Sequence, residues 1–300
     1  MRIAISGGTG LIGSRLVRYL QSSGDEVILI SRSSAGGMRS SLRTVTWDRL
    51  NEDRQELEGL DGIVNLSGES INQRWTAAAK RRVLESRLST VRRLAELTGL
   101  LKRKPNAVVS GSAMGIYGTS ETGVFDESSG VRGNDFLAGV VQQWERAAGE
   151  IQTNRLVLLR TGLVLAPEGG ALPLMALPYK LGVGGRVGSG RQWMSWIHAE
   201  DIVRLIRHCL DNPEMTGPVN ATAPNPVTND EFGRSLGRAL HRPHWLPLPG
   251  AALKLALGEM SEMLLTGQRV LPQKALECGF EFRYPGLDAA LKELYDRPSG

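Results

Sequence analysis

An α/β fold built on a doubly wound parallel sheet, with a smaller lobe at the C-terminal end, is what this 300-residue sequence predicts. Three observations carry that reading. Short apolar runs of strand length alternate with longer helical patterns across the first half of the chain. A glycine-rich turn stands directly between the first strand and the first helix, and no repeat or low-complexity tract interrupts the alternation. Beyond the last of these strands come closely spaced glycines, then helices separated by prolines.

The first strand is Ile3-Ala4-Ile5, and Ser6-Gly7-Gly8-Thr9-Gly10-Leu11-Ile12-Gly13 leads from it into a helix through Leu16, Val17 and Leu20. The glycines fall as GxxGxxG between strand and helix, and that context gives them a meaning. Gly7 permits a tight turn, Gly10 lets backbone approach a pyrophosphate, and Gly13 lets helix and strand pack closely. The helix start adds free N–H groups and the positive end of its dipole. A dinucleotide is the ligand this fits, and Gly7, Thr9, Gly10, Leu11, Ile12 and Gly13 are the residues expected to touch it.

The second strand, Val27 to Ile30, ends in Ser31-Arg32. NAD sites carry an Asp or Glu there, about twenty residues past the glycines, for the ribose 2′-hydroxyl. Ser31 and Arg32 offer no carboxylate. A guanidinium in that place would form charge-assisted hydrogen bonds to a 2′-phosphate, each worth about 1.5–3 kcal/mol, so the expected cofactor is NADP.

A Ser/Gly-rich loop, Ser33 to Ser41, precedes a short strand at Val45-Thr46-Trp47 that ends at Asp48. Gly62-Ile63-Val64-Asn65-Leu66 has the pattern of a buried strand, and its small polar exit, Ser67-Gly68-Glu69-Ser70, leaves room for a cofactor. Thr76 to Leu101 is the longest helical pattern, with Val83, Leu84, Leu88, Val91, Leu94, Ala95 and Leu97 on one face, and Pro105 ends that region. A strand follows from Ala107 toward Ser110-Gly111-Ser112, then a Tyr117-Gly118 turn, a helix from Phe136 to Ile151 and a strand Leu156 to Arg160. From Ala166 to Gln192 the glycine-rich stretch is expected to be a long loop covering a ligand. Ser195 to His198 and Gly217 to Ala221 are strands on either side of a helix, Ala199 to Leu210. Thr228 to Leu240, Gly250 to Leu257 and Leu287 to Leu294 are helices of the tail. The expected division is a nucleotide-binding domain, 1–225, and a substrate lobe, 226–300.

Composition narrows the function classes. Net charge is +5 from 36 basic and 31 acidic residues, and Lys80-Arg81-Arg82 and Lys102-Arg103-Lys104 are short runs at helical positions. That excess suits an anionic small ligand and gives no case for nucleic acid. The two cysteines, Cys209 and Cys278, lie in helix-like apolar runs, as reduced residues of a cytoplasmic protein would. Met1 leads straight into the first strand without a signal peptide, and no apolar run is long enough to span a bilayer, so no membrane association is expected. His208, His241 and His244 have no metal-ligand spacing with the cysteines. Oligomeric state is left open.

The order of these motifs resembles the extended short-chain dehydrogenases/reductases, a Rossmann-fold group that includes nucleotide-sugar epimerases and dehydratases. Within it the chain is similar to an atypical subfamily called epimerase family protein. The resemblance rests on Asn65-Leu66-Ser67-Gly68-Glu69, Arg74-Trp75, Ser86-Arg87, Trp144-Glu145, Gly188-Ser189-Gly190-Arg191-Gln192, Trp196-Ile197-His198 and Asp201, with a C-terminal lobe like 226–300. It implies that Leu66, Ser67, Gly68, Arg87 and Val164 line the cofactor, with Val164 toward the nicotinamide.

Enzymes of this group use a Tyr to pass a proton while hydride moves, with a Lys four residues later. None of the five tyrosines has that Lys; in the matching helix Phe136 and Val140 stand at the two positions. Losing a positioned acid/base costs about 10²–10⁴ in rate. The remaining candidates are Tyr117 as acid/base and Ser112 to orient a substrate oxygen, each with a packing or capping alternative. Asp126 and Glu127 read as loop-bracing carboxylates, His198 as structural, and Trp144-Glu145 as a brace between helix and sheet. Arg186 and Arg191 are expected as hands for a substrate phosphate. The function these readings imply is an NADP(H)-dependent oxidoreductase or epimerase acting on a phosphate-bearing small molecule such as a nucleotide sugar. The rival is a non-catalytic NADP(H)-binding protein that reports redox state.

Overall fold

The computed structural model describes residues 1–32, 42–52 and 54–296, so the loop expected at Ser33 to Ser41 lies outside the described residues. Its centre is a seven-stranded, all-parallel sheet: β1 (Arg2–Ser6), β2 (Glu26–Ser31), β3 (Arg43–Thr46), β4 (Gly62–Asn65), β5 (Ala107–Ala113), β6 (Leu156–Thr161) and β7 (Gly217–Ala221). The strands lie in the order β7-β6-β5-β4-β1-β2-β3. The winding reverses between β1 and β4, and ligands of such sheets bind at the carboxyl ends beside that reversal.

Helices cover both faces because strand residues point alternately to each side. Ile3, Ile5, Val64 and Val109 face α1 (Leu11–Ser22) and α6 (Ala199–Asp211), meeting Leu16, Leu20, Ile202 and Ile206. Ala4, Ile63 and Val108 face α3 (Ala77–Leu100) and α4 (Phe136–Ala148), meeting Val91, Leu94, Leu97 and Trp144. A short α2 (Trp47–Glu52) begins where the sequence predicted the third strand to continue. Trp47 is buried in the second of these cores from the helix side.

The glycine-rich stretch differs from its expectation as one long loop. It contains a nine-residue helix, α5 (Leu172–Lys180). Pro173 sits in the first turn, where its missing N–H costs nothing. The helix forms because Leu172, Ala176 and Tyr179 share a face and bury against Trp196, Phe232, Leu236 and Leu291. Two of those partners, Phe232 and Leu236, lie on α7 (Asn229–Ala239).

The tail is interleaved with the sheet domain. Arg269–Val270 pairs with Val124–Phe125, Phe280 joins the core under α1 and α6, and the helix Leu287–Asp296 packs into the α5–α7 cluster. Cys209 and Cys278 are free thiols, and burial pushes Cys209 up to about 12.

Candidate functional site

The turn after β1 is shaped by contacts only glycine allows. Gly7 has φ +82°, and a Cβ there would stand 2.6 Å from the Leu66 carbonyl carbon and 2.7 Å from the Ser67 nitrogen. A Cβ on Gly13 would stand 2.2 Å from the Gly7 oxygen. Gly10 is different: its nearest contact would be 3.4 Å, and both it and Thr9 are exposed. The protein itself does not fill the space above Gly10.

Gly10 is also the N-cap of α1, with no side-chain cap and no acidic residue in the first turn. By contrast Thr76, Asp135, His198 and Thr228 cap α3, α4, α6 and α7. A twelve-residue helix that begins on uncapped N–H groups at a sheet's carboxyl edge has the polarity that suits an anion.

The expected cofactor residues gather around this point. The Leu66 N–H donates to the Ser6 oxygen at 2.8 Å, and the Ser6 and Ser67 hydroxyls are 2.6 Å apart, fixing the β4 exit against the turn. Gly169 and Gly170 lie against the Leu11 methyls, and the carbonyl of Val164 is on the same side. Ser31 and Arg32 end the neighbouring strand, and the exposed Arg32 makes no side-chain hydrogen bond among the described residues.

Arg87 is a floor rather than a hand. Its Nη1 donates to the Glu69 and Val83 carbonyls at 3.1 and 2.9 Å, its plane covers Trp144 at 5.2 Å, and Gly68 rests on its guanidinium. Burial lowers its pKa. Ser86 accepts from the Glu69 N–H, so the Ser86-Arg87 pair holds the 66–70 loop in place. Above that loop, Gln73 and Arg82 hold the Glu69 carboxyl below the usual carboxylate range, and Arg32 adds to this by its charge.

Tyr117 is enclosed, as its packing alternative would have it. The ring is 1% exposed, stacked on Phe125; its hydroxyl donates to Asn220 Oδ1 at 2.8 Å and accepts from Arg160 Nη1 at 2.9 Å. Burial raises its pKa. The hydroxyl of Ser112 is engaged as well, donating to Glu145 Oε1 at 2.6 Å. Glu145 in turn receives Arg160 through two bonds of 2.8 Å, so Trp144-Glu145 is the expected brace between helix and sheet.

Around the expected tyrosine position, Phe136 is edge-on to Trp75, with the Lys80 amine 5.1 Å above its ring, while Val140 is buried. Asp126 bonds Ser128 and Ser129, and Glu127 takes the N–H groups of Asn220 and Lys274; both brace loops as read. His198 caps α6 through Nδ1 and reaches Glu293 through Nε2. Arg186 and Arg191 are exposed, Arg191 facing Glu121 at 3.4 Å.

Two residues escaped the sequence reading. Arg160 carries the buried network, and its signal was a charge ending the apolar run Leu156 to Leu159. Arg269 lies over Trp193 at 4.8 Å, and its Nε is buried without a partner among the described residues. Nothing local in the sequence marks it.

Residues 3–221 match the NAD dependent epimerase/dehydratase family, and 248–294 match a domain of unknown function, DUF1731. Epimerase family protein YfhF of Bacillus subtilis is 44% identical over 299 residues, 98% of each chain. The crystal structure of human epimerase family protein SDR39U1 (isoform 2) with NADPH is 38% identical with a TM-score of 0.91, covering 99% of this chain and 100% of that one. The nucleoside-diphosphate sugar epimerase of Corynebacterium glutamicum is 32% identical with a TM-score of 0.79; the match covers 99% of this chain and 58% of that one. The chain belongs to the NAD dependent epimerase/dehydratase family.

Proposed function

We propose that this protein binds NADP(H) and acts as an oxidoreductase or epimerase on a phosphate-bearing small molecule of the nucleotide-sugar type. The observation that carries the cofactor half is the uncapped start of α1 at Gly10, flanked by Arg32 and lacking any acid at the β2 exit. The N–H groups of Leu11 and Ile12 would take the pyrophosphate, with Gly7, Thr9, Gly10 and Gly13 giving it room. Ser31 and Arg32 would hold the 2′-phosphate. Leu66, Ser67 and Gly68, propped by Arg87, would wall the adenosine, and Val164 the nicotinamide end. When bound, the cofactor supplies hydride.

The substrate half rests on the cover segment 166–192 and the tail 226–300. Arg269, a cation with an unpaired buried nitrogen, is suited to an anionic substrate group. The name of the Corynebacterium neighbour is consistent with a nucleotide sugar. We assign Tyr117 and Ser112 to holding the sheet edge, in place of proton transfer by Tyr117 and orientation of a substrate oxygen by Ser112, because both hydroxyls are already hydrogen-bonded in the interior.

A second reading, NADP(H) binding without catalysis, is favoured by one observation: Phe136 and Val140 stand where the proton-transfer pair would be. The test is titration with NADPH and NADH by nicotinamide fluorescence, beside Arg32→Ala. NADPH should bind at least about tenfold tighter, and Arg32→Ala should remove the preference. If neither nucleotide binds, both readings fail. NADPH consumption in a screen of nucleotide sugars then separates enzyme from sensor.

A further inference from the structure

A cation on the long helix is bonded to the loop that leaves β4. Arg82 lies in the second turn of α3, with its side chain 55% exposed. Its Nε donates to Glu69 Oε1 at 3.1 Å and its Nη2 to Gln73 Oε1 at 2.9 Å. Gln73 donates to the same Glu69 oxygen at 3.2 Å and to the Ser70 carbonyl at 2.7 Å. The triangle fixes the guanidinium above the loop that leaves β4, while Nη1 has no hydrogen bond among the described residues.

Topology places the loop that Arg82 holds beside the glycine turn. In the order β4-β1-β2, the exits of β4 and β2 flank the glycine turn after β1, so Glu69 and Arg32 approach one cleft from opposite sides. Arg32 is near enough for its charge to act on the Glu69 carboxyl. A phosphate seated at Arg32 therefore enters the field of Arg82 as well. Glu69 alone would repel that phosphate; with Arg82 and Gln73 bonded to it, its charge is offset and it serves to aim the guanidinium.

We propose that Arg82 is the second determinant of NADP preference, closing on the 2′-phosphate from the β4 side while Arg32 holds it from the β2 side. This rests on the cofactor reading above. The logic is that of charge-assisted recognition: a guanidinium held by a carboxylate and an amide keeps its fork oriented, and so discriminates a phosphate from a hydroxyl better than a free surface arginine does.

The full chain is titrated with NADPH and with NADH as wild type, Arg82→Ala, Arg82→Lys and Arg32→Ala. Arg82→Ala should weaken NADPH about tenfold and leave NADH within about twofold, with Arg82→Lys between. Equal weakening of both nucleotides would make Arg82 a brace of the loop and overturn the proposal, as would no change in either. Thermal melts of each variant exclude loss of folding. Wild-type protein that binds neither nucleotide, or Arg32→Ala without effect on the preference, overturns the cofactor reading itself. An effect of Arg32 without one of Arg82 overturns this inference alone.

Discussion

Tyr117→Phe separates the two roles that can be given to this tyrosine. The substitution keeps the ring, which is 1% exposed and stacked on Phe125 at 5.7 Å, and removes only the hydroxyl. Two bonds go with it: one from the Arg160 guanidinium at 2.9 Å and one to the Asn220 carbonyl at 2.8 Å. A bond to a charged group contributes about 1.5–3 kcal/mol and a neutral one about 0.5–1.5 kcal/mol, so the loss should be about 2–4 kcal/mol. Arg160 keeps Glu145 and Asn220 keeps the Leu271 carbonyl, which limits the collapse to this one linkage. In a chain of this size that lowers Tm by the order of 10 °C. The assay is thermal and urea unfolding beside NADPH titration, and the affinity should be unchanged. A variant within about 0.5 kcal/mol of wild type that has lost NADPH-dependent turnover would refute the reasoning and return Tyr117 to catalysis.

The same network sets further expectations. Arg160→Met should destabilise by about 3–5 kcal/mol because it strands the Glu145 carboxylate, and Arg160→Met with Glu145→Met should recover much of that in urea unfolding. Ser112→Ala removes a donor from Glu145, whereas Ser110→Ala on the same strand removes a buried hydroxyl with no partner among the described residues. Parallel melts should therefore find Ser110→Ala within about 1 kcal/mol of wild type and Ser112→Ala the more damaging. Burial holds the His198 imidazole below its ordinary value, so the unfolded chain takes up the proton more readily than the folded one. His198's contribution is present in full above its ordinary value of about 6.5 and lost as the pH falls below it, and His198→Asn should flatten the fall in Tm between pH 8 and pH 5. Gly13→Ala puts a methyl 2.2 Å from the Gly7 oxygen and should abolish NADPH binding in the same titration.

What the sequence made legible is what local pattern encodes. The glycine turn, the apolar strands and the α3 face needed only periodicity and the conformational freedom of Gly7, and each stands within a residue or two of its expected place. α5 was hidden because its prolines and flanking glycines outweigh a weak helical pattern; only burial of Leu172, Ala176 and Tyr179 against α7 makes it helical. Tyr117 looked accessible because it follows a strand end, where this fold opens to ligands. Its enclosure depends on Asn220, 103 residues later, and Arg160, 43 residues later. Such contacts between distant parts of the chain leave no trace at Tyr117 itself. The resemblance put Arg87 beside the cofactor, but nothing in the sequence around it announced the packing of its guanidinium between Gly68 and Trp144.

The buried polar rung at the sheet's carboxyl edge explains why this architecture stands without the usual tyrosine and lysine. Ser6, Asn65 and Ser110 are register neighbours on β1, β4 and β5, and Ser112, Arg160 and Asn220 on β5, β6 and β7, all nearly or wholly buried. Apolar residues in that row would seal the edge but could not hold the loops above it. Polar ones fasten those loops by hydrogen bonds: Ser67 to Ser6 and Asn65, Tyr117 to Arg160, Leu271 to Asn220. The floor of the site is thereby fixed from the sheet and from Trp144 and Glu145 of α4, with no need of a tyrosine or lysine at Phe136 and Val140. Apolar residues at those two positions cost the fold nothing: Val140 is 4% exposed in the interior, where a lysine ammonium would have to be desolvated.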